Sequence, residues 1–401
     1  MKNTSLYNSH KIEFLSLKAV NEPYEAEIKQ AMSEVVDSGW YVLGKNVRQF
    51  EKDWAEYCGT RYCVGCGNGL DALRLVLMAW MELGKIAPGD EVIVPANTYI
   101  ATILAVSDCG LTPVPVEPDP ETMLLSPKNI ADAITAKTRV ILPVHLYGQR
   151  CEIDELVKDK GLLILEDCAQ AHGMKFQVPS SKFQGSNNIA HSTQHIAHLT
   201  PHIAQSWSFY PTKNLGALGD AGAVTTDDAE LAEMVRKIAN YGSATRYVND
   251  VKGVNSRMDE LQAAILSIKL KDLDRCNERR REIAHRYNTE ICNPLVVLPK
   301  VKTESVYHLY TVRCEQRDEL QQYLAQRGIE TQVHYPTPPH KQGAYKEWAE
   351  LSLPISEKTA QTILSIPCNP ALTNEEVDRI IEALNTFILN PYLLEHEPNG
   401  E

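Results

Sequence analysis

Gly161-Leu-Leu-Ile-Leu-Glu-Asp167 sets an unbroken aliphatic run ahead of two carboxylates. A short, wholly apolar run suits a strand buried on both faces, as in a parallel sheet flanked by helices. Runs of the same kind recur at Tyr62 to Gly65, Glu91 to Pro95, Thr112 to Val116, Val140 to Val144, Ser206 to Phe209 and Ala223 to Thr226. Helical stretches such as Leu70 to Leu83 and Ile130 to Ile134 lie between them. The alternation predicts an α/β fold, a mainly parallel sheet with helices on both faces. Ligands bind such sheets beyond the carboxyl ends of the strands, where Asp167 and the turn Gly67-Asn68-Gly69 both fall.

Outside this region the pattern is helical. Glu22 to Ser38 and Lys45 to Tyr57 read as amphipathic helices broken at Gly39-Trp-Tyr-Val-Leu-Gly44. A long helical region, Met258 to Thr289, precedes a strand at Val306 to Arg313, a helix at Arg317 to Arg327 and the segment Ile329 to His334. We therefore expect a large domain over residues 1–290 and a small α+β domain over 291–401, with a polar tail from Asn390 that frays.

The chain has 401 residues, 43% of them hydrophobic, enough for a large core in more than one domain. No apolar stretch is long enough to span a bilayer, and Met1-Lys-Asn-Thr-Ser5 is not a secretory signal, so a cytoplasmic location is expected. The 10 cysteines are scattered among apolar residues, which predicts free thiols; Cys63-Val-Gly-Cys66 has no second pair to complete a metal site. A formal charge of −12 argues against a nucleic-acid surface. Arg275 and Arg279-Arg280-Arg281 stand among acidic residues and read mostly as a solvated helix face.

Candidate chemistry gathers in Ser208-Phe-Tyr-Pro-Thr-Lys-Asn-Leu-Gly-Ala-Leu-Gly-Asp-Ala-Gly222, where an apolar segment meets a glycine-rich loop. Lys213 there can condense with an aldehyde if burial lowers its pKa. With Asp167 to keep a ring nitrogen protonated, the pair points to pyridoxal 5′-phosphate (PLP). The cofactor's phosphate needs a helix amino end, which Gly67-Asn-Gly-Leu-Asp-Ala-Leu73 supplies; Ser208 can add a hydroxyl. Tyr99, after the strand ending at Pro95, can stack on the ring, and Gln170 and His172 can orient the carboxylate or a ring hydroxyl. Each residue alone has an ordinary structural role as well: a turn lysine, a glycine turn, a core tyrosine.

These motifs, with Pro95-Ala-Asn-Thr-Tyr-Ile-Ala-Thr102, Glu166-Asp-Cys-Ala-Gln-Ala-His-Gly173, Gly253-Val-Asn-Ser-Arg-Met-Asp-Glu-Leu-Gln262 and Val333-His-Tyr-Pro336, resemble the DegT/StrS family of PLP-dependent nucleotide-sugar aminotransferases over residues 13–387. The resemblance implies the aspartate-aminotransferase fold (fold type I), with a large, mainly parallel, seven-stranded α/β domain and a small C-terminal α+β domain, in a homodimer whose active sites lie at the subunit interface. It implies that Lys213 bonds the cofactor aldehyde, Asp167 meets the ring nitrogen, Tyr99 stacks and Gln170 neighbours the ring hydroxyl. Asn68, Gly69 and Ser208 would bind the phosphate, with Asn255 reaching across from the other subunit. Ser38-Gly-Trp-Tyr-Val-Leu-Gly44 and Val144-His-Leu-Tyr-Gly-Gln149 look most like the branch that aminates dTDP-3-oxo-6-deoxyhexoses, with L-glutamate as donor. That likeness puts Tyr210, Arg246, His334 and Tyr335 near the sugar or its nucleotide. Amination of a 4-oxo sugar is the main alternative. Dehydration of a sugar, which relatives perform with histidine in place of the lysine, and a non-catalytic PLP-binding regulator fit Lys213 less well.

One segment departs from the family pattern, an insert at about residues 175–204. Asn188-Ile-Ala, His195-Ile-Ala and His202-Ile-Ala repeat within it, and removing His191 to Ala204 joins Ala190 directly to Gln205-Ser-Trp-Ser-Phe209. This reads as a tandem expansion within a shorter loop. His191, His195, His198 and His202 share a helical face, yet Pro201 and the lack of nearby carboxylates or thiolates leave no metal expected.

Overall fold

The computed structural model describes residues 11–153, 161–174, 203–245 and 247–388. One sheet organises the larger part: β1 (Tyr62–Cys66), β2 (Glu91–Pro95), β3 (Thr112–Val116), β4 (Thr138–Ile141), β5 (Leu163–Asp167), β6 (Ile203–Ser208) and β7 (Gly222–Thr226). It is 7-stranded in the order β1-β7-β6-β5-β4-β2-β3, parallel except for β7, which runs antiparallel to β1 and β6. The aliphatic run of β5 is buried at every position and sits in the middle of the sheet. Pro113 and Pro115, each without an N–H to give, lie in β3, an edge strand.

Several boundaries differ from expectation. β6 starts at Ile203, so the last Ile-Ala of the repeat is not part of an insert loop: Ile203 pairs with Ile164 and Ala204 with Leu165. The rest of the insert, including the four histidines, lies outside the described residues. β4 begins at Thr138 and ends at Ile141, because Pro143 interrupts the ladder. The long helical region is two helices, Glu260–Leu270 and Leu273–Glu290, and the predicted strand from Val306 is regular only over β8 (Tyr310–Arg313). β8 pairs with β9 (Ile363–Ile366), which the sequence pattern did not disclose.

A second core surrounds this small sheet. Ile283, Ala284 and Tyr287 of helix Leu273–Glu290 pack there with Leu320, Leu364 and Ile380, and so does Ile12, whose N–H donates to the Gly328 carbonyl. Chain ends far apart in sequence thus meet in one apolar cluster. Arg280 corrects the reading of its triplet as a solvated face: it is buried and donates to the carbonyls of Tyr307, His308 and Cys368, while Arg275, Arg279 and Arg281 pair with acids on the surface.

Alternation along β6 aims the site. Trp207 and Phe209 enter a cluster with Phe50, Trp54 and the His172 ring, so Ser208 between them faces the opposite side. Trp54 meets Trp207 edge-on at 4.9 Å and Phe209 at 5.3 Å, which ties helix Lys45–Cys58 to the strand end. The 10 cysteines are thiols outside any disulfide, and Cys63 and Cys66 are strand residues of β1.

Candidate active site

The carboxyl ends of β1, β2, β5 and β6 open on one cavity of about 550 Å³, walled by Asn68, Gly69, Tyr99, Asp167, Gln170, Ser208, Tyr210, Lys213, His334 and Tyr335 among others. Asn68, Tyr99, Asp167 and Ser208 meet because the strands that precede or carry them end at the same edge, and His334 and Tyr335 reach the cavity from beyond that sheet. Two sequence candidates stand apart. Asn255 is exposed and bridges to Asn240 outside the cavity wall of its own chain. Arg246 lies outside the described residues.

Asp167 ends β5 and is buried. Burial raises its pKa, against the lowering effect of the Ala169 N–H at 3.1 Å, the Thr102 hydroxyl at 2.9 Å and the charge of Lys213. A carboxylate in this state gains most from a cationic partner. Beneath it, His145 Nδ1 accepts the Cys151 N–H at 3.1 Å, which leaves Nε2 to carry the hydrogen toward Glu166. Gln205 donates to the other Glu166 oxygen at 2.8 Å.

Lys213 follows the turn after β6, its N–H bonded to the Tyr210 carbonyl. Burial pushes its pKa down to about 8, and Asp167 opposes that shift. An amine near pH 8 exchanges a proton readily at neutral pH and is nucleophilic when bare.

Helix Gly69–Glu82 points its amino end into the cavity. Asn68 caps it by accepting the Asp71 N–H at 2.8 Å, and the N–H groups of Gly69 and Leu70 have no acceptor within the helix. Gly69 lies hard against Ser208: a Cβ on Gly69 would sit 2.5 Å from Ser208 Cβ. Only glycine lets the helix end and the serine hydroxyl converge, a cradle suited to a phosphate. Lysine, buried carboxylate and anion cradle together fit PLP.

Aromatic and polar groups line the mouth. Tyr99 is 55% exposed and leans on Tyr335, ring centroids 5.3 Å apart. Gln170 Nε2 donates to the Tyr335 hydroxyl at 3.2 Å. His334 pairs through Nδ1 with the Ser365 hydroxyl at 2.8 Å, and its pKa is pushed down to about 4 by burial and by Lys213. His172 does not orient the carboxylate; its ring is boxed by Trp54, Trp207 and Phe209, and its carbonyl takes a bond from Asn277.

Sequence reasoning missed Thr102, Asn214 and His308. Thr102 closes the same quoted motif as Tyr99, one helical turn on, and that spacing was its available signal. His308 reaches the cavity from a segment beyond Glu290, and nothing local marks it.

A family model described as the DegT/DnrJ/EryC1/StrS aminotransferase family matches residues 23–385. The chain is 50% identical over 381 residues to the dTDP-3-amino-3,6-dideoxy-alpha-D-galactopyranose transaminase of Aneurinibacillus thermoaerophilus, covering 94% of this chain and 99% of that one. The crystal structure of S. venezuelae DesV in complex with ketimine intermediate matches with a TM-score of 0.84 at 45% identity, covering 94% of this chain and 98% of that one. The Bacillus subtilis NtdA structure with bound cofactor PMP matches with a TM-score of 0.82 at 31% identity, covering 94% and 86%.

Proposed function

The chain belongs to the DegT/DnrJ/EryC1/StrS aminotransferase family, and from that premise we propose that it is a PLP-dependent transaminase that moves the amino group of L-glutamate to a dTDP-3-oxo-6-deoxyhexose. Its product is a dTDP-3-amino-3,6-dideoxyhexose, a building block for a surface polysaccharide or related glycan made in the cytoplasm. The observation that carries the reading is one cavity holding a lysine with its pKa near 8, a buried carboxylate and a glycine-cleared helix end. The activity named for the 50% identical relative supports the 3-position and the dTDP carrier.

In this reading Lys213 would bond the cofactor aldehyde and Asp167 would meet its ring nitrogen. Gly69, Asn68 and Ser208 hold the phosphate, Tyr99 covers the ring and Gln170 borders its hydroxyl. When bound, PLP supplies an aldehyde that exchanges amines and a ring that takes up electron density from the carbon losing its proton. Asp167, oriented by the Thr102 hydroxyl and the Ala169 N–H, would keep a proton on that ring nitrogen. The Lys213 amine, its pKa lowered to about 8, would serve as the base and acid that moves a proton in this cavity. Tyr210, Arg246, His334 and Tyr335 are proposed to contact the sugar or its diphosphate. The active unit is proposed to be a homodimer in which Asn255 completes the phosphate site of the partner.

Two substrates decide the reading. Production of 2-oxoglutarate from L-glutamate that depends on a dTDP-3-oxo-6-deoxyhexose supports it, whereas turnover with only the 4-oxo isomer moves the amination to the neighbouring carbon. Lys213→Ala must abolish turnover in either case.

A further inference from the structure

The segment that carries Lys213 also sets the tautomer of a histidine in the same cavity wall. The chain starts at the His172 carbonyl, which can only accept, so the Asn277 amide that reaches it at 2.8 Å presents Nδ2. Asn277 Oδ1 is thereby turned to Asn214, whose Nδ2 donates to it at 2.8 Å and to the Val306 carbonyl at 3.0 Å. With its N–H groups spent on two pure acceptors, Asn214 offers Oδ1 to His308 Nδ1 at 3.1 Å, a contact that requires a hydrogen on Nδ1. Gly173 makes the arrangement possible: its φ is +90°, and a Cβ there would lie 2.2 Å from Asn277 Nδ2.

Burial, joined by the charges of Lys213 and Arg280 and by the neighbouring His172 and His334, holds His308 neutral. A neutral imidazole with its hydrogen on Nδ1 bears a bare lone pair on Nε2. Nε2 has no hydrogen-bond partner among the described residues. His308 itself lines the cavity. Lys213, one residue from the asparagine that orients the ring, lines the same cavity.

We propose that His308 is a positioning residue that accepts a hydrogen bond at Nε2 from the Lys213 amine, holding the protonated amine in place whenever it is not bonded to the cofactor. This rests on the reading of Lys213 as the cofactor-bearing lysine. The consequence is a relay: His172 carbonyl, Asn277 and Asn214 together keep an acceptor, never a donor, facing the amine.

The test follows the reactivity of Lys213 toward trinitrobenzenesulfonate across pH, by mass spectrometry, in the full-length protein freed of cofactor. The wild type is expected to be half-reactive near pH 8. An acceptor favours the ammonium form, so His308→Leu should move that midpoint down by about one pH unit, about tenfold in proton affinity. His308→Gln keeps an acceptor oxygen and should stay close to wild type. Asn277→Ala, outside the cavity wall, should shift the midpoint in the same direction by less. Coincident midpoints in all the proteins, or equal shifts for Leu and Gln, overturn the proposal. Should His308→Leu not fold, ¹⁵N NMR of histidine-labelled wild-type protein decides: the proposal requires a protonated Nδ1 and a bare Nε2 on His308, and the opposite tautomer overturns it. The labelling midpoint needs no cofactor, so its failure is distinct from failure of the transaminase reading, which shows as no visible absorption band on adding PLP.

Discussion

Gly69→Ala tests the anion cradle through a single methyl group. An alanine Cβ would lie 2.5 Å from Ser208 Cβ and 3.1 Å from both its Cα and its hydroxyl oxygen. Carbon atoms in contact sit about 3.5–4.0 Å apart, so the helix end and the strand end must separate by about 1 Å. Hydrogen bonds to a phosphate do not survive such a displacement, since their useful range is only about 0.5 Å wide. Losing one charge-assisted bond, at ~1.5–3 kcal/mol, weakens PLP binding by about 10- to 150-fold. Titration of the cofactor-free protein with PLP, read by the visible band, measures this directly. Gly343→Ala is the control, because a Cβ there meets nothing within 4 Å. A folded Gly69→Ala protein that binds PLP as tightly as wild type would refute the close-approach argument.

Further outcomes follow from the same geometry. Burial raises the pKa of Asp167, so above its unfolded value the carboxylate's charge weighs against folding and below it the cost disappears. The cofactor-free Asp167→Asn protein should therefore melt above wild type at pH 7, with the gap closing toward pH 4, while losing turnover; an unchanged gap across that range would contradict the burial of a charge. Lys213→Ala should keep the far-UV circular dichroism of wild type while losing turnover entirely, and residual wild-type rates would remove the mechanism. Trp54→Ala, which empties the centre of the aromatic cluster, should cost about 3–5 kcal/mol in urea unfolding; a loss below about 1 kcal/mol would mean that the helix Lys45–Cys58 is not held there.

Much of this fold was legible because parallel strands leave unmistakable traces. Leu163-Ile-Leu-Glu-Asp167 must be buried on both faces, and the residues after such strands must share an edge, so Asp167, Tyr99 and the Gly67-Asn68-Gly69 turn could be brought together on paper. The start of β6 was not legible, because three Ile-Ala copies are equivalent as strand openings and only pairing with Ile164 and Leu165 selects the last. β9 escaped for a related reason: Ile363–Ile366 is too short to tell from the end of the preceding helix, and it is a strand only because β8 is there to pair with it. Arg280 looked solvated from its neighbours in sequence, while carbonyls from two distant segments receive it. Thr102 and His308 belong to the same class. Their importance lies in what they touch, and those contacts join segments that have no local pattern in common.

The central claim is amination at C3 of a dTDP-linked sugar on a lysine-held cofactor. The most direct measurement is the visible spectrum of the PLP-loaded enzyme during parallel additions of purified dTDP-3-amino-3,6-dideoxyhexose and its 4-amino isomer. With amination at C3, the 3-amino sugar alone bleaches the band. Bleaching by the 4-amino isomer alone would contradict the assigned position, and no bleaching by either would contradict the dTDP-aminosugar assignment itself.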